Sequence, residues 1–370
     1  MGLTVVQTVP ALEAGGVERG VVEVSQALCE RGHRSVVVSS GGRLVDELTR
    51  HGAEHRAMPI HRKSPATLLQ VRPLRRLLRE LDADVVHARS RVPAWVTYFA
   101  WRNMDPTTRP AFATSVHGLH SVSRYSRIMT LGQRVEVVSE TVRRYVLENY
   151  SGTDPDKLYL NHRGVDPERF TFGYQPDDDW LERWREQYPE LVGRCVLTLA
   201  GRLTRLKGHH DLFDILTKLR GLGVDAHALI VGDEDPRRRA YAKGLRDAVR
   251  NQGLADRVTF TGHRGDIREV LAVSDVVLSL STKPESFGRS VLEAVRLGKP
   301  VVGYDHGGVG EVLATIYPQG RVPLGDTTAA ARRIADLAAG DTPAPEPTDA
   351  FLLSSMLDRS VAMYEQLAKR

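Results

Sequence analysis

Two carboxylates eight residues apart, Glu285 and Glu293, flank the run Ser286-Phe287-Gly288-Arg289 inside the stretch Lys283 to Gly298. The apolar run Asp275–Leu280 before them reads as a strand, so residues 284–288 form a loop at a strand's C-terminal end and a helix begins near Gly288. A helix N-terminus presents unpaired backbone N–H groups and the positive end of its dipole, which suits a diphosphate. Glu285 precedes the helix and Glu293 lies about one and a half turns into it, roughly 10 Å away at ~1.5 Å of rise per residue plus the loop. That span matches a nucleotide sugar, with one carboxylate at the sugar hydroxyls and the other at the ribose diol. The competing reading makes Glu285 a helix cap and Glu293 a surface residue; the apolar neighbours Leu292 and Ala294 argue against it.

A second cluster, Gly201-Arg202-Leu203-Thr204-Arg205-Leu206-Lys207-Gly208, follows the strand-like Cys195–Ala200. Its turn brings Arg202 and Lys207 to one sheet edge, where a guanidinium and an ammonium can clamp two phosphates. Taken alone it is also compatible with a solvated loop, and Arg205 reads as solvent-facing. Gly15-Gly16 follows the first strand and permits close backbone approach to a bulky ligand, while Glu18 favours a helix start. Neither the dinucleotide fingerprint nor the Gly-Lys-Ser/Thr phosphate loop occurs.

Three histidines, His87, His117 and His263, stand at strand ends, where structural roles are the common case. His117, followed by Gly118, is the strongest functional candidate. His120, His209-His210-Asp211, Asp82-Ala-Asp84 and Asp233-Glu-Asp235 lack metal-ligand spacing, so no metal site is expected.

The elements that hold these groups alternate. Strand-like runs at Leu3–Val9, Ser35–Ser39, Asp84–His87, Ala111–Val116 and Arg134–Ser139 are separated by helical patterns such as Val17–Arg31 and Leu68–Leu81. A second series comprises Cys195–Ala200, Ala226–Val231, Arg257–Thr261, Asp275–Leu280 and Lys299–Tyr304, with helices near 208–221, 236–252, 265–273, 288–297 and 326–340. Repeated strand–helix alternation implies parallel sheets covered on both faces. A length of 370 residues implies two domains. The break at 163–191 reads as the connection between them, and 340–347 as a stiff Pro-rich linker before a final helix at Phe351–Leu367.

Composition narrows the class. Hydrophobic residues make up 41% and charged residues 26%, as in ordinary globular proteins. Two cysteines, Cys29 and Cys195, exclude a disulfide scaffold and suit a reducing compartment. No signal-peptide pattern is seen, and the richest apolar run, Val92 to Trp101, is too short to span a bilayer. Net charge is +5, with +6 in residues 1–175 and −1 in the remainder, so the N-terminal half is suited to phosphate-bearing or membrane-surface partners.

Taken together, Gly-Gly-Val-Glu18, His117-Gly118, Gly201-Arg202 with Lys207-Gly208, and Glu285-x7-Glu293 resemble the retaining glycosyltransferases of family 4. The resemblance runs over nearly the whole chain; Gly-Val-Asp166, Phe-Thr-Gly262 and Gly-Lys-Pro-Val-Val302 fall at that family's recurrent segments. It implies the α/β GT-B fold: two Rossmann-like doubly wound domains facing a cleft, with a C-terminal helix returning to the first. The expected division is 1–165 for the acceptor, 166–345 for the nucleotide sugar, and 346–370 for the linker and return helix. The resemblance implies that Arg202 and Lys207 neutralise the departing diphosphate, Glu293 holds the ribose, and Glu285 holds the transferred sugar. Ser286, Phe287, Gly288 and Arg289 would face the donor, Gly262 and His263 the base, and Gly15 and Gly16 the phosphates. His117 would line the reacting face of the sugar. Glu285, His117, Lys207 and Arg202 are then the catalytic set. No metal cofactor is implied. Arg163 replaces the asparagine that many members have, and its role is open between phosphate contact and a carboxylate partner.

The activity implied is transfer from a nucleotide-diphosphate sugar, UDP-sugar favoured, to a hydroxyl of a glycan or lipid-linked acceptor, as in lipopolysaccharide-core or cell-envelope synthesis. The expected location is cytoplasmic, peripheral on the inner face of the bacterial inner membrane. Arg72, Arg75, Arg76 and Arg79 share a helix face that is either solvated or a patch for anionic lipid. The alternatives are a GT-B enzyme with a small soluble acceptor and a sugar-nucleotide epimerase. A nucleic-acid binder, suggested by the pI of about 9.2, lacks any supporting motif, and no nucleic-acid partner is expected.

Overall fold

A computed structural model describes residues 2–13, 15–234 and 239–369. It divides into two compact units, one running to Arg163 and resuming at Ser354, the other Gly164–Leu353. The limits expected from the sequence are 165/166 and 345/346. Residues 346–353 fall in the second unit, where Val165 bridges Leu352 and the Phe351 ring meets Phe287 at 5.5 Å.

The first unit holds seven parallel strands in the order β3-β2-β1-β4-β5-β6-β7. They are β1 Thr4–Thr8, β2 Arg34–Ser39, β3 Glu54–Ala57, β4 Val85–Ala88, β5 Ala111–Val116, β6 Arg134–Val137 and β7 Leu158–Leu160. The helices are α1 Gly16–Glu30, α2 Val45–Arg50, α3 Val71–Glu80, α4 Arg91–Arg102 and α5 Glu140–Asn149. Strand alternation divides the core: Val6, Val86 and Phe112 pack with Leu74, Leu78 and Ala94. On the other face Val5, Val85 and Ala113 pack with Val24 and Leu28. Each buried valine, leucine or phenylalanine among them contributes about 1.5–3 kcal/mol. Residues 65–70 form a 3-10 segment rather than the first turn of one helix over 68–81, and leave Leu68 exposed.

The second unit begins with α6, Asp178–Gln187. The stretch 163–191 is therefore not a bare connection: Trp180 stacks on Trp184 at 4.9 Å, and Trp184 meets Tyr188 at 4.5 Å. There follow β8 Cys195–Ala200, α7 His209–Gly221, β9 Ala226–Val231, α8 Arg239–Asn251, β10 Val258–Gly262, α9 Ile267–Ala272 and β11 Val276–Ser279. Then come α10 Arg289–Arg296, β12 Val301–Tyr304, α11 Gly307–Ile316, β13 Arg321–Val322 and α12 Thr327–Ala339. The start of the helix expected over 236–252, and Asp235, lie outside the described residues. The six strands, all parallel, run β10-β9-β8-β11-β12-β13. Both sheets thus have the doubly wound order in which the direction of strand addition reverses beside the first strand, opening a crevice at the strand ends. In the second unit that point lies between β8 and β11, whose following loops carry both motif clusters.

The last helix, α13 Leu353–Ala368, packs in the first unit, with Met363, Tyr364 and Leu367 in the Val5–Val85 core. No helix among the described residues is long and apolar enough to cross a membrane. The Val92–Trp101 run is accounted for by α4, which buries Ala94, Val96 and Ala100.

Candidate functional site

At the end of β8 the chain turns through Gly201, whose φ of +144° is open to glycine and whose missing Cβ leaves room for the Lys207 stem, 2.7 Å from that position. Lys207 then reaches across to the loop after β11, where its Nζ lies 2.8 Å from Glu285 Oε1. Ser281 donates to the same carboxylate oxygen. The two loops are also joined through the backbone, Thr282 N–H donating to Leu206 C=O at 2.9 Å. Burial by itself raises the Glu285 carboxyl; the Lys207 charge and the bonds from Lys207 and Ser281 outweigh it and hold the group below its ordinary value. Glu285 is therefore an ionised, acceptor-only group. Lys207 keeps two further N–H donors for other acceptors.

Gly288, at φ +100°, swings the chain from this loop into α10, and no side chain caps the helix. Ser286 and Phe287 sit between Glu285 and that turn, Phe287 buried. One turn into α10, Arg289 pairs with Glu293 at 3.1 Å, and the Glu293 side chain is 14% exposed. Glu293 is thus a partly sheltered group facing a cation, not a solvated surface residue. Arg202 is exposed, with no charged partner among the described residues, and Arg205 is exposed as expected. Gly262 closes β10, and His263, exposed, stands 3.6 Å from Asp233. The second unit therefore brings Arg202, Lys207, Glu285, Ser286, Phe287, Gly288, Arg289 and Glu293 to the strand-end side of one sheet.

Sequence reasoning missed two contributors. Ser281 braces Glu285 from four residues away. The pair Gly307-Gly308 opens α11, and Gly308 N–H donates to Glu285 C=O at 2.8 Å. A glycine pair after a strand was the same signal that singled out Gly15-Gly16.

In the first unit Gly15 precedes α1 and Gly16 is its first residue; Glu18 folds its carboxylate over the face of Gly15 that a Cβ would occupy. His117 ends β5. Its Nδ1 lies 2.7 Å from Arg163 Nη2, so Arg163 donates to a histidine. Gly20 makes that possible, since a Cβ there would lie 2.9 Å from Arg163 Nη1. Burial, and next the Arg163 charge, keep His117 well below its ordinary value and hence neutral. With Nδ1 accepting, the proton resides on Nε2, which is buried without a partner among the described residues.

His87 serves a different end. Arg89 Nη2 donates to Tyr364 Oη at 3.1 Å, Tyr364 to His87 Nδ1 at 2.7 Å, and His87 Nε2 to Ser115 Oγ at 2.6 Å. Ser115 donates to Glu136 at 2.5 Å, and Arg89 Nη1 closes the ring on Glu136 at 3.0 Å. Burial and the Arg89 charge leave His87 neutral, while Arg89 overcomes the burial of Glu136 and holds it far below the carboxylate range. The ring ties α13 to the sheet. Of the remaining candidates for a metal, Asp211 accepts from Tyr304 at 2.5 Å and Asp84 from the Thr4 N–H at 2.7 Å; both are structural.

Family comparisons agree with this division. Residues 14–169 match the model for Glycosyltransferase Family 4, and residues 182–346 that for Glycosyl transferases group 1. A crystal structure of a glycosyltransferase from Rickettsia africae is 30% identical, with a TM-score of 0.86 over 100% of this chain and 99% of that one. N-acetyl-alpha-D-glucosaminyl L-malate synthase of Bacillus anthracis is 25% identical over 325 residues, 84% of this chain and 82% of the relative. Phosphatidyl-myo-inositol mannosyltransferase of Mycobacterium leprae is 26% identical over 340 residues, 88% and 84% respectively.

Proposed function

Because the chain belongs to the family 4 glycosyltransferases of GT-B fold, we propose that it transfers a sugar from a nucleotide-diphosphate donor, a UDP-sugar by preference, with retention of anomeric configuration. The observation that carries this reading is the Lys207–Glu285 pair at the switch point of the second sheet. An ammonium held there by an ionised carboxylate has donors left for a diphosphate, and Arg202, exposed in the same loop, supplies a second cation. Stabilising the charge that develops on the leaving group is where preorganised cations act most strongly. The same two cations make a metal unnecessary in this reading.

The bond from the anomeric carbon to the diphosphate oxygen breaks first, and its electrons remain on the diphosphate. An acceptor hydroxyl then bonds to that carbon from the same face and passes its proton to a diphosphate oxygen. Glu285 accepts from sugar hydroxyls and supports the positive charge on the ring; Glu293 takes the ribose hydroxyls in exchange for Arg289. The Nε2 proton of His117 serves as a donor to the sugar.

The acceptor is a hydroxyl of a glycan or glycolipid of the cell envelope. The cationic excess of residues 1–175 supports an anionic acceptor at a membrane surface, with the exposed Arg72, Arg76 and Arg79 of α3 as the contact. The test is a screen of UDP-, GDP-, ADP- and CMP-sugars for thermal stabilisation and slow hydrolysis, with and without EDTA, followed by NMR of the product's anomeric configuration. One donor class stabilising the protein and hydrolysed without metal supports the reading. No binding by any donor, or an inverted product, overturns it.

A further inference from the structure

The first unit contains a cavity of about 630 Å³, within the ~300–1,000 Å³ usual for small-molecule sites. It lies between the segment after β3, helix α4 and the loop after β5. Val92, Trp95, Val96 and Phe99 of α4 give it an apolar wall, and the Trp95 N–H is already taken by Tyr125 C=O at 3.0 Å. Arg62 and Lys63 line it as well, and no acidic residue does so among the described residues. Lys63 Nζ and the Arg91 guanidinium stand 5.4 and 5.5 Å from the Tyr125 ring. The Tyr125 hydroxyl is buried without a hydrogen-bond partner among the described residues, an arrangement that costs stability unless a ligand atom completes it.

The apolar surface continues beyond the cavity. Leu68 lines it while remaining 48% exposed, and the adjacent Leu69 is 74% exposed. A single ring would leave this strip uncovered, whereas an extended chain would cover it. The cations specify the other end of the ligand, since nothing nearby in the lining balances them.

We propose that this cavity binds the aliphatic chain of an anionic amphiphile whose acidic group rests on Arg62 and Lys63. Its use as the acceptor rests on the transferase reading above; its binding does not. The probe is decyl phosphate, titrated below its micellar concentration into the full chain by calorimetry. One saturable site is expected, weakening about fourfold for each methylene removed. Joint R62E and K63E substitution weakens binding at least tenfold, V92W abolishes it by filling the cavity, and neutral decyl maltoside binds at least tenfold more weakly. Affinity independent of chain length, indifference to R62E with K63E, equal binding of decyl maltoside, or tighter binding of naphthyl phosphate overturns the assignment. UDP affinity measured on the same samples separates the two readings. UDP binding without decyl phosphate binding refutes the cavity assignment alone. Decyl phosphate binding of the expected pattern without any nucleotide binding supports the cavity and refutes the donor site.

Discussion

Arg163 Nη2 lies 2.7 Å from His117 Nδ1, so a permanent cation fixes the tautomer of a neutral imidazole and leaves its one N–H on the far nitrogen. Sequence spacing separates the two by 46 residues, and only the chain's passage along β6, α5 and β7 brings them together. In ¹⁵N-resolved NMR the wild-type His117 should show protonated Nε2 and remain neutral through its ordinary titration range. R163M should move the ring's protonation to higher pH, because the second largest cause of its lowered pKa is removed while burial remains. An unchanged titration in R163M would place the control entirely with burial.

K207A should lower transfer by about 10²–10³-fold, the usual effect of losing one preorganised group at a developing charge. The pair is about a quarter exposed on each side, so the melting temperature should change little. G201A should reproduce the activity loss, because its Cβ would displace the Lys207 stem. Steady-state kinetics with melting curves check both; near-normal turnover in K207A removes Lys207 from the chemistry.

E293A should raise the donor's dissociation constant more than it lowers turnover, since ribose contacts are the same in ground and transition states. R289A breaks the i,i+4 pair with Glu293 and should act mainly on stability, the pair itself being worth about 0.5 kcal/mol. Equilibrium dialysis of the nucleoside diphosphate and denaturant melts distinguish the two effects.

The ring of hydrogen bonds around Arg89 should be fragile to single deletions. Y364F removes one donor and leaves His87 and Arg89 under-satisfied, at about 1–3 kcal/mol. R89M strands the buried Glu136 carboxylate, at about 3–5 kcal/mol. Urea unfolding of the two variants checks that order; equal effects would mean that Arg89 and Tyr364 fail together as one unit.

Stability should fall on the acid side of neutrality. His87 and His117 have folded pKa values well below the ordinary 6.5, and His120 and His209 are drawn down to about 4 by burial. Between those values and 6.5 the unfolded chain binds protons that the folded chain refuses, so stability is complete above about pH 6.5 and drains as pH falls. Glu136 adds in the same direction below its ordinary 4.5. Melting temperatures should be level near about pH 7–8 and decline steadily from about pH 6.5 to about pH 4; a flat profile would contradict this.

Much of the molecule was legible in one dimension. Val5, Val6, Leu197 and Leu199 announce strands by local composition, and Val21, Val24 and Leu28 announce α1 by spacing, because burial on one face imposes a period on neighbouring residues. The Glu285 to Glu293 loop was readable for the same reason: it lies within one strand–turn–helix unit, so sequence distance and spatial distance agree. Edge strands escaped. β3 (Glu54–Ala57) is a short, polar strand at the sheet margin, with one side unpaired, and only its register against β2 defines it. Tertiary structure alone decided which charges meet. Lys207 and Glu285 come from loops 78 residues apart, and Arg89 meets Tyr364 across 275. Such pairs depend on strand order and helix placement, and a side chain's own neighbours in sequence carry no trace of which distant partner the fold will deliver.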